Sequence, residues 1–346
     1  MKLKLQAQNP LEWIALKLNL APVPLFDTQI TFIAARTIMA AAELGIYENI
    51  GKSSKTAIEI AKACNTHLQS TEKLLGSLVG IGYLSYSDEK YQLPRKFQKW
   101  LLKDNESNII NKLRCQFMEW EMTSKLEHYV RTGKPVNFHS ISSKEQWGLY
   151  QEAMRDLSVN SSKELAGKIP VLKGAKEMLD IGGSHGLYSV EICKKNPGLS
   201  STILELSDAI ESASAIGKRY DKSGVLCYMA GNILTDDIGE EKYGLIIINN
   251  LVHHFTFEEN KEIAKKIIRA LKPGGFCAIG DIIRSKTPGE GGIAGATMDL
   301  YFSLISASGT WSVEDIKSWQ QSAGLTHEKT ISAMTIPGWK MIIAKK

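Results

Sequence analysis

The chain has 346 residues, 43% of them hydrophobic and 23% charged, with a formal net charge of +5. That length accommodates two ordinary domains, each with its own core. The mild charge gives no argument for a nucleic-acid or membrane partner, and no apolar run approaches the ~18 residues of a membrane span.

The opening stretch "MKLKLQAQNPLEWIALKLNL" is interrupted by Glu12 and Lys17 and carries no small-residue cleavage site. It reads as a first helix rather than a signal peptide. Residues 29–46, "QITFIAARTIMAAAELGI", are apolar at helical spacing and end at Gly45. "TAIEIAKACN" and "LQSTEKLLGSLVGIG" then read as helix, turn, helix, followed by a small hairpin around "SYSDEKY". This order is a winged-helix pattern. Residues 107–165 read mostly as helix, broken at "RTGKPVNFHSISS".

From residue 177 the texture changes. "EMLDIGG", "STILEL", "VLCYMAG", "YGLIIINN" and "FCAIGDII" read as strands, with helices between them. Near-continuous apolar strands alternating with helices predict a parallel sheet covered on both faces. "TPGEGGIAGA", residues 287–296, is glycine-rich and predicts a mobile loop. The cysteines, Cys64, Cys115, Cys193, Cys227 and Cys277, lie far apart and form no CxxC pair. A disulfide framework is therefore not expected, and a cytoplasmic location is.

The candidate site begins at "LDIGGSHGLYS", residues 179–189. Gly182, Gly183 and Gly186 follow a strand and precede a helix. Such a turn lets a ligand approach the backbone and offers it free N–H groups. The dinucleotide fingerprint G-x-G-x-x-G fails when started at Gly182, because Ser184 and Leu187 stand where glycines are required. Glu205 ends the second strand, where an acidic side chain can accept from both ribose hydroxyls. Asn232 follows the third strand. Its amide can donate to and accept from an adenine edge, and it is equally at home as a turn residue.

"LDIGGSHG", "ILELSDAI", "AGNIL", "INNLVHHF" and "ALKPGG" resemble, in order, the motifs of class I S-adenosylmethionine-dependent methyltransferases. With the winged-helix part, the chain from about residue 20 to 345 resembles the small-molecule O-methyltransferases of plant and bacterial secondary metabolism. The resemblance implies an α/β fold class: a Rossmann-like methyltransferase sheet with a mainly α winged-helix N-terminal dimerisation domain. The expected domains are 1–105 for dimerisation, 106–170 as a helical region covering the substrate, and 171–346 for the cofactor-binding methyltransferase domain. It also implies a homodimer.

By that resemblance Asp180, Gly182 and Gly186 line the methionine end of S-adenosyl-L-methionine, and Glu205 takes the ribose. Leu206 packs on the adenine, Asn232 and Ile233 hold the base, and Asn249 lies near the amino-acid portion. Two departures stand out: the family usually has glycine at Ser184 and aspartate at Asn232. Serine fits such a turn if its φ is negative.

"NNLVHHFTFEEN" places His253 and His254 at the end of the fourth strand. Histidine, with a reference pKa of ~6.5, suits removal of a phenolic or enolic proton near neutral pH. In the resembling enzymes a histidine followed by an acidic residue is that base. His253 occupies its place and His254 replaces the acidic neighbour. Asp281 matches an acidic residue that orients the base. A later acidic residue has no equivalent, because "SGTWSVED" carries Thr310 and Trp311 there. That gap keeps C-methylation and non-methylating, cofactor-dependent cyclisation open as alternatives.

Adjacent histidines point in different directions and no further ligand lies at a zincin spacing, so no metal is expected. Methionines and aromatics at helical spacing suit a flat apolar acceptor. By resemblance Met154, Asn250, Met298 and Phe302 face it. A DNA-binding regulator is the contrasting class. However, the would-be recognition helix "STEKLLGSLVGIG" offers only Lys73 among basic residues, too few for a groove reader.

Overall fold

The structure is a computed structural model that describes residues 6–136, 143–306 and 308–346. The start of the first stretch, before residue 6, and residues 137–142 of the expected helix break lie outside the described residues. The chain divides into two compact units, Met1–Phe117 and Met118–Lys346. The division falls inside a helix rather than near residue 105, and the sheet unit includes most of the helical region 106–170.

In the first unit, α1 (Pro10–Lys17) is followed by a short turn of helix, α2 (Val23–Leu25), and a π-helical turn at Phe26–Ile30. Then come α3 (Thr31–Glu43), α4 (Ile46–Ile50), β1 (Ser54–Lys55), α5 (Ala57–Cys64) and α6 (Leu68–Gly80). A hairpin of β2 (Ser85–Ser87) and β3 (Lys90–Gln92) follows α6, with β1 pairing on β3. Asp88 and Glu89 both have positive φ, the geometry of a two-residue hairpin turn that matches strand twist. The core of the unit is Ile46, Tyr47, Ile60, Leu75, Leu78 and Leu93, all fully buried. Helix α7 (Arg95–Leu101) follows, and α8 (Ile110–Thr123) crosses the division.

The second unit continues with α9 (Leu126–Thr132) and α10 (Lys144–Leu165). The sheet is then built from β4 (Glu177–Ile181), β5 (Ser200–Glu205), β6 (Leu226–Ala230), β7 (Tyr243–Asn249), β8 (Leu271–Ile282), β9 (Thr326–Ser332) and β10 (Trp339–Lys345). Their order is β6-β5-β4-β7-β8-β10-β9. The first five run parallel, and β10 is antiparallel to both neighbours. The connecting helices are α11 (Leu187–Lys195), α12 (Ser207–Tyr220), α13 (Phe257–Ala270), α14 (Gly292–Ile305) and α15 (Val313–Ser322).

Side chains alternate across a strand, and here both faces are apolar. Leu179, Ile181, Ile246 and Ile248 join the core beneath α13 and α15. Met178, Leu245 and Ile247 join the core containing Leu165 of α10 and Ile192 of α11. Because β5 and β7 flank β4, the chain reverses its winding direction at β4. A crevice opens at such a point, outside the carboxyl ends of the strands.

Helix starts follow from local chemistry. Thr56 with Glu59, Ser143 with Gln146, Thr256 with Glu259 and Ser312 with Asp315 each form a reciprocal capping box. The glycine-rich stretch 287–296 differs from the expected loop: from Gly292 onward it is the first turn of α14. Gly291 is explained by close approach, since a Cβ there would overlap the Ser285 hydroxyl. Among the described residues no helix is long and apolar enough to cross a membrane, and all five cysteines are free.

Gly217 gives a test of this packing. It lies in α12, and a Cβ there would overlap the Tyr228 hydroxyl and sit 2.9 Å from the His185 carbonyl. Gly217→Ala should therefore destabilise the protein by about 2 kcal/mol, against the ~1 kcal/mol gain that helix propensity alone predicts. Urea unfolding of the two proteins measures the sign directly.

Candidate active site

At the carboxyl ends of β4, β5, β6 and β7 lies a cavity of about 530 Å³. Asp180, Gly182, Glu205, Leu206, Asn232, Ile233 and Asn249 all line it, as do Met154 and Asn250. Gly186 caps α11 nearby in a left-handed conformation. Its missing Cβ leaves room for Leu226, which would otherwise be 2.8 Å away. Met298 and Phe302 are not among the lining residues.

Asp180 is fully buried. Its Oδ2 accepts from the Ser189 hydroxyl at 2.7 Å, and Ser189 in turn accepts from Ser201 at 2.8 Å. The following turn closes over the carboxyl so tightly that a Cβ at Gly183 would lie 2.7 Å from Oδ2. Burial pushes the Asp180 carboxyl up to about 7, and the neighbouring Glu205 adds to this. Burial likewise raises Glu205. Glu205 is held by two backbone donors, Leu206 N–H to Oε1 at 2.8 Å and Ser184 N–H to Oε2 at 3.0 Å. Each oxygen keeps a further lone pair for a ribose hydroxyl.

Ser184 has φ 53°, so the condition under which serine would fit the turn freely is not met. A non-glycine residue in this region costs about 1 kcal/mol, and the serine is held there through both its polar groups. Its hydroxyl donates to the side-chain carbonyl of Gln151 on α10. His185 lies in the same turn and also lines the cavity. It is buried, its Nδ1 accepts from Leu187 N–H at 3.2 Å, and burial lowers it to about 4.

Asn232 is exposed, and its side-chain oxygen already accepts from Leu234 N–H at 3.0 Å. Its amide nitrogen is the group that can serve a ligand. The loop behind it is clamped by Lys266, whose ammonium donates to the carbonyls of Ile233, Leu234 and Asp236 at 2.7, 2.9 and 3.0 Å. Asn249 presents a buried side-chain oxygen with no hydrogen-bond partner.

His253 is 3% exposed and does not line the cavity. Its Nδ1 lies 2.9 and 3.0 Å from the two oxygens of buried Asp281, so Nδ1 carries the proton and Nε2 is the basic nitrogen. Phe302 stacks on the ring at 3.8 Å. His254 and Ser306 do line the cavity. The His254 ring is 4.3 Å from that of His253, and the Ser306 hydroxyl donates to the His253 carbonyl at 2.9 Å. No further acid stands at Thr310 and Trp311. Trp311 instead donates from Nε1 to the Val252 carbonyl at 3.0 Å, and the Thr310 N–H donates to Oδ1 of Asp299 at 2.8 Å.

Sequence reasoning missed Gln151 and the cavity-facing position of His254. Gln151 had a signal: it is a polar residue inside the stripe formed by Trp147, Tyr150 and Met154. Among the described residues no cluster of three or more His, Cys, Asp or Glu could hold a metal.

The cavity fits a cationic nucleoside. It contains two carboxyls raised by burial and an unpartnered side-chain carbonyl at Asn249. Among the described residues that line it there is no lysine or arginine. With the sheet order, this defines the class I methyltransferase fold, whose cofactor is a sulfonium nucleoside. The chain belongs to the O-methyltransferase domain family, whose model matches residues 122–325. It is 25% identical over 315 residues to the mitomycin biosynthesis 6-O-methyltransferase of Streptomyces lavendulae, covering 86% of this chain and 87% of that protein. It is 20% identical over 330 residues to the 3-hydroxy-5-methyl-1-naphthoate 3-O-methyltransferase of Streptomyces sahachiroi, covering 93% and 94%. Its fold matches that of human N-acetylserotonin methyltransferase in complex with S-adenosylmethionine, at a TM-score of 0.82 and 15% identity over 99% of both chains. It also matches mitomycin 7-O-methyltransferase at 0.81 and 20% identity, over 98% and 100%.

The raised Asp180 predicts a pH signature of the free protein. The folded state keeps the proton up to about 7, whereas an unfolded aspartate releases it near 3.9. Stability therefore falls as pH rises between those values. Asp180→Asn should remove this slope and raise the ligand-free melting temperature at pH 8 by about 3 °C or more. Thermal melts from pH 5 to 8 check it; parallel slopes for both proteins would contradict it.

Proposed function

We propose that this protein transfers a methyl group from S-adenosyl-L-methionine to a phenolic or enolic hydroxyl of a small, largely apolar acceptor. The supporting observation is the His253–Asp281 dyad, held at 2.9 and 3.0 Å beside the cavity. When bound, the cofactor supplies a methyl carbon on a sulfonium sulfur, and the C–S bonding pair leaves with that sulfur. Asp180 and Asn249 hold its amino-acid end, Glu205 its ribose, and Leu206, Asn232 and Ile233 its base. Nε2 of His253 would accept the proton of the acceptor hydroxyl. Asp281 stabilises the resulting imidazolium and fixes the ring. Trp147, Tyr150, Met154 and Ile305 supply apolar walls for a flat acceptor.

Two variants separate the roles. Glu205→Ala should lose binding of S-adenosylhomocysteine in titration calorimetry. His253→Ala should keep that binding and lower methylation of phenolic acceptors about 100-fold or more. Wild-type turnover in His253→Ala would remove the dyad from the mechanism, and unchanged binding in Glu205→Ala would move the ribose elsewhere.

The first unit supports a homodimer. Helix α1 buries no residue, and Leu11, Trp13, Leu18 and Leu20 are 78, 56, 62 and 71% exposed. A run of apolar side chains of this kind calls for a covering surface. Light scattering should give twice the chain mass, and Trp13→Glu with Leu20→Glu should halve it. A monomeric wild type would end the proposal.

A further inference from the structure

Ser184 adopts a left-handed conformation that glycine would take freely, in the turn that closes the cofactor end. Its two polar groups point to two different parts of the site. The N–H donates to Oε2 of Glu205 at 3.0 Å, and the hydroxyl donates to the side-chain carbonyl of Gln151. Gln151 is only 2% exposed and lies on α10, whose Trp147, Tyr150 and Met154 form the apolar wall. A continuous path therefore runs from that wall through Gln151 and Ser184 to the carboxylate assigned to the ribose.

The amino-terminal end of α10 is the part that needs such a tie. Lys144, Glu145 and Gln146 are exposed, and the helix start is held by the Ser143–Gln146 capping box. Exposed first turns with few buried contacts are the segments that open most easily.

We propose that Ser184 and Gln151 are positioning residues that couple the two ligand sites. Cofactor bound at Glu205 fixes the Ser184 turn, and Gln151 carries that order into the first half of α10, so the acceptor wall is set before the acceptor enters. This rests on Glu205 holding the ribose. A ligand that orders a segment lowers the entropic cost of the next ligand, which is coupling without a large structural change.

The test is hydrogen exchange with and without S-adenosylhomocysteine. In the wild type the ligand should slow exchange about tenfold both in the turn at 182–186 and in α10 from Trp147 to Met154. Ser184→Gly relieves the positive φ and keeps the N–H bond to Glu205, so the turn should still be protected. Protection of α10 should fall to within about twofold of the ligand-free rate, and Gln151→Leu should behave alike. With any phenol the wild type methylates, both variants should raise the acceptor KM about tenfold while the cofactor KM stays within about threefold. Survival of α10 protection in both variants overturns the coupling, as does its absence in a wild type whose turn is protected. Absence of protection everywhere in the wild type would instead overturn the cofactor reading, and the coupling with it.

Discussion

The carboxyl of Asp180 lies wholly buried beneath the turn that follows it, and that placement dictates much of the cofactor end. A buried charge with no cation beside it is costly, so the free protein keeps the carboxyl protonated up to about 7. The turn wraps it so closely that Gly183 has no room for a side chain. Ser189 and Ser201 spend their hydroxyls satisfying it from below. A cationic ligand above would supply the charge partner the site lacks. The carboxyl that destabilises the free protein is thus also the group that a bound cation would relieve.

A second constraint governs the histidine. With Asp281 as its carboxylate partner and no further acid at the Thr310–Trp311 segment, the orientation of His253 is secured through its backbone. Trp311 and Asn260 donate to the Val252 carbonyl, both at 3.0 Å, Ser306 and Ser308 to that of His253, and Ser308 also to that of Phe255. The short helical turn Val252–His254 therefore has its carbonyls anchored from α13 and from the segment after α14. Fixing the main chain from both of these elements limits where the imidazole can sit even with one side-chain hydrogen-bond partner.

These two constraints explain what could and could not be read from residues alone. The five parallel strands of the second unit were legible because both faces of the sheet are covered, which demands unbroken apolar runs such as "YGLIIINN", whereas β9 and the antiparallel β10 were not read. Asp180 and Glu205 were legible through their positions at strand ends, and Asn249 through the family resemblance. Backbone sign was not legible: Ser184 has a positive φ, and the tertiary contact of its hydroxyl with Gln151 cannot be read from its neighbours in sequence. Nor was the exchange of positions between adjacent histidines. Which of His253 and His254 faces the cavity depends on the Asp281 carboxylate reaching one ring from a neighbouring strand. The loop at 287–296 misled for the opposite reason, since glycines signal freedom in sequence but in part record contact with Ser285.

The serine at 184 then acquires a meaning that a tolerated departure would not have. Glycine at this position would satisfy the same turn and still offer the N–H to Glu205. What serine adds is a hydroxyl aimed at a buried glutamine, which would otherwise keep an unpaired carbonyl in an apolar stripe. Neither residue accounts for the other's conformation alone: the positive φ disfavours the serine, and burial disfavours the glutamine. Paired, each offsets the other's cost, and the pair joins the cofactor turn to the helix that walls the acceptor space. A strained residue and a buried polar side chain that explain one another are stronger grounds for a designed contact than either observed singly.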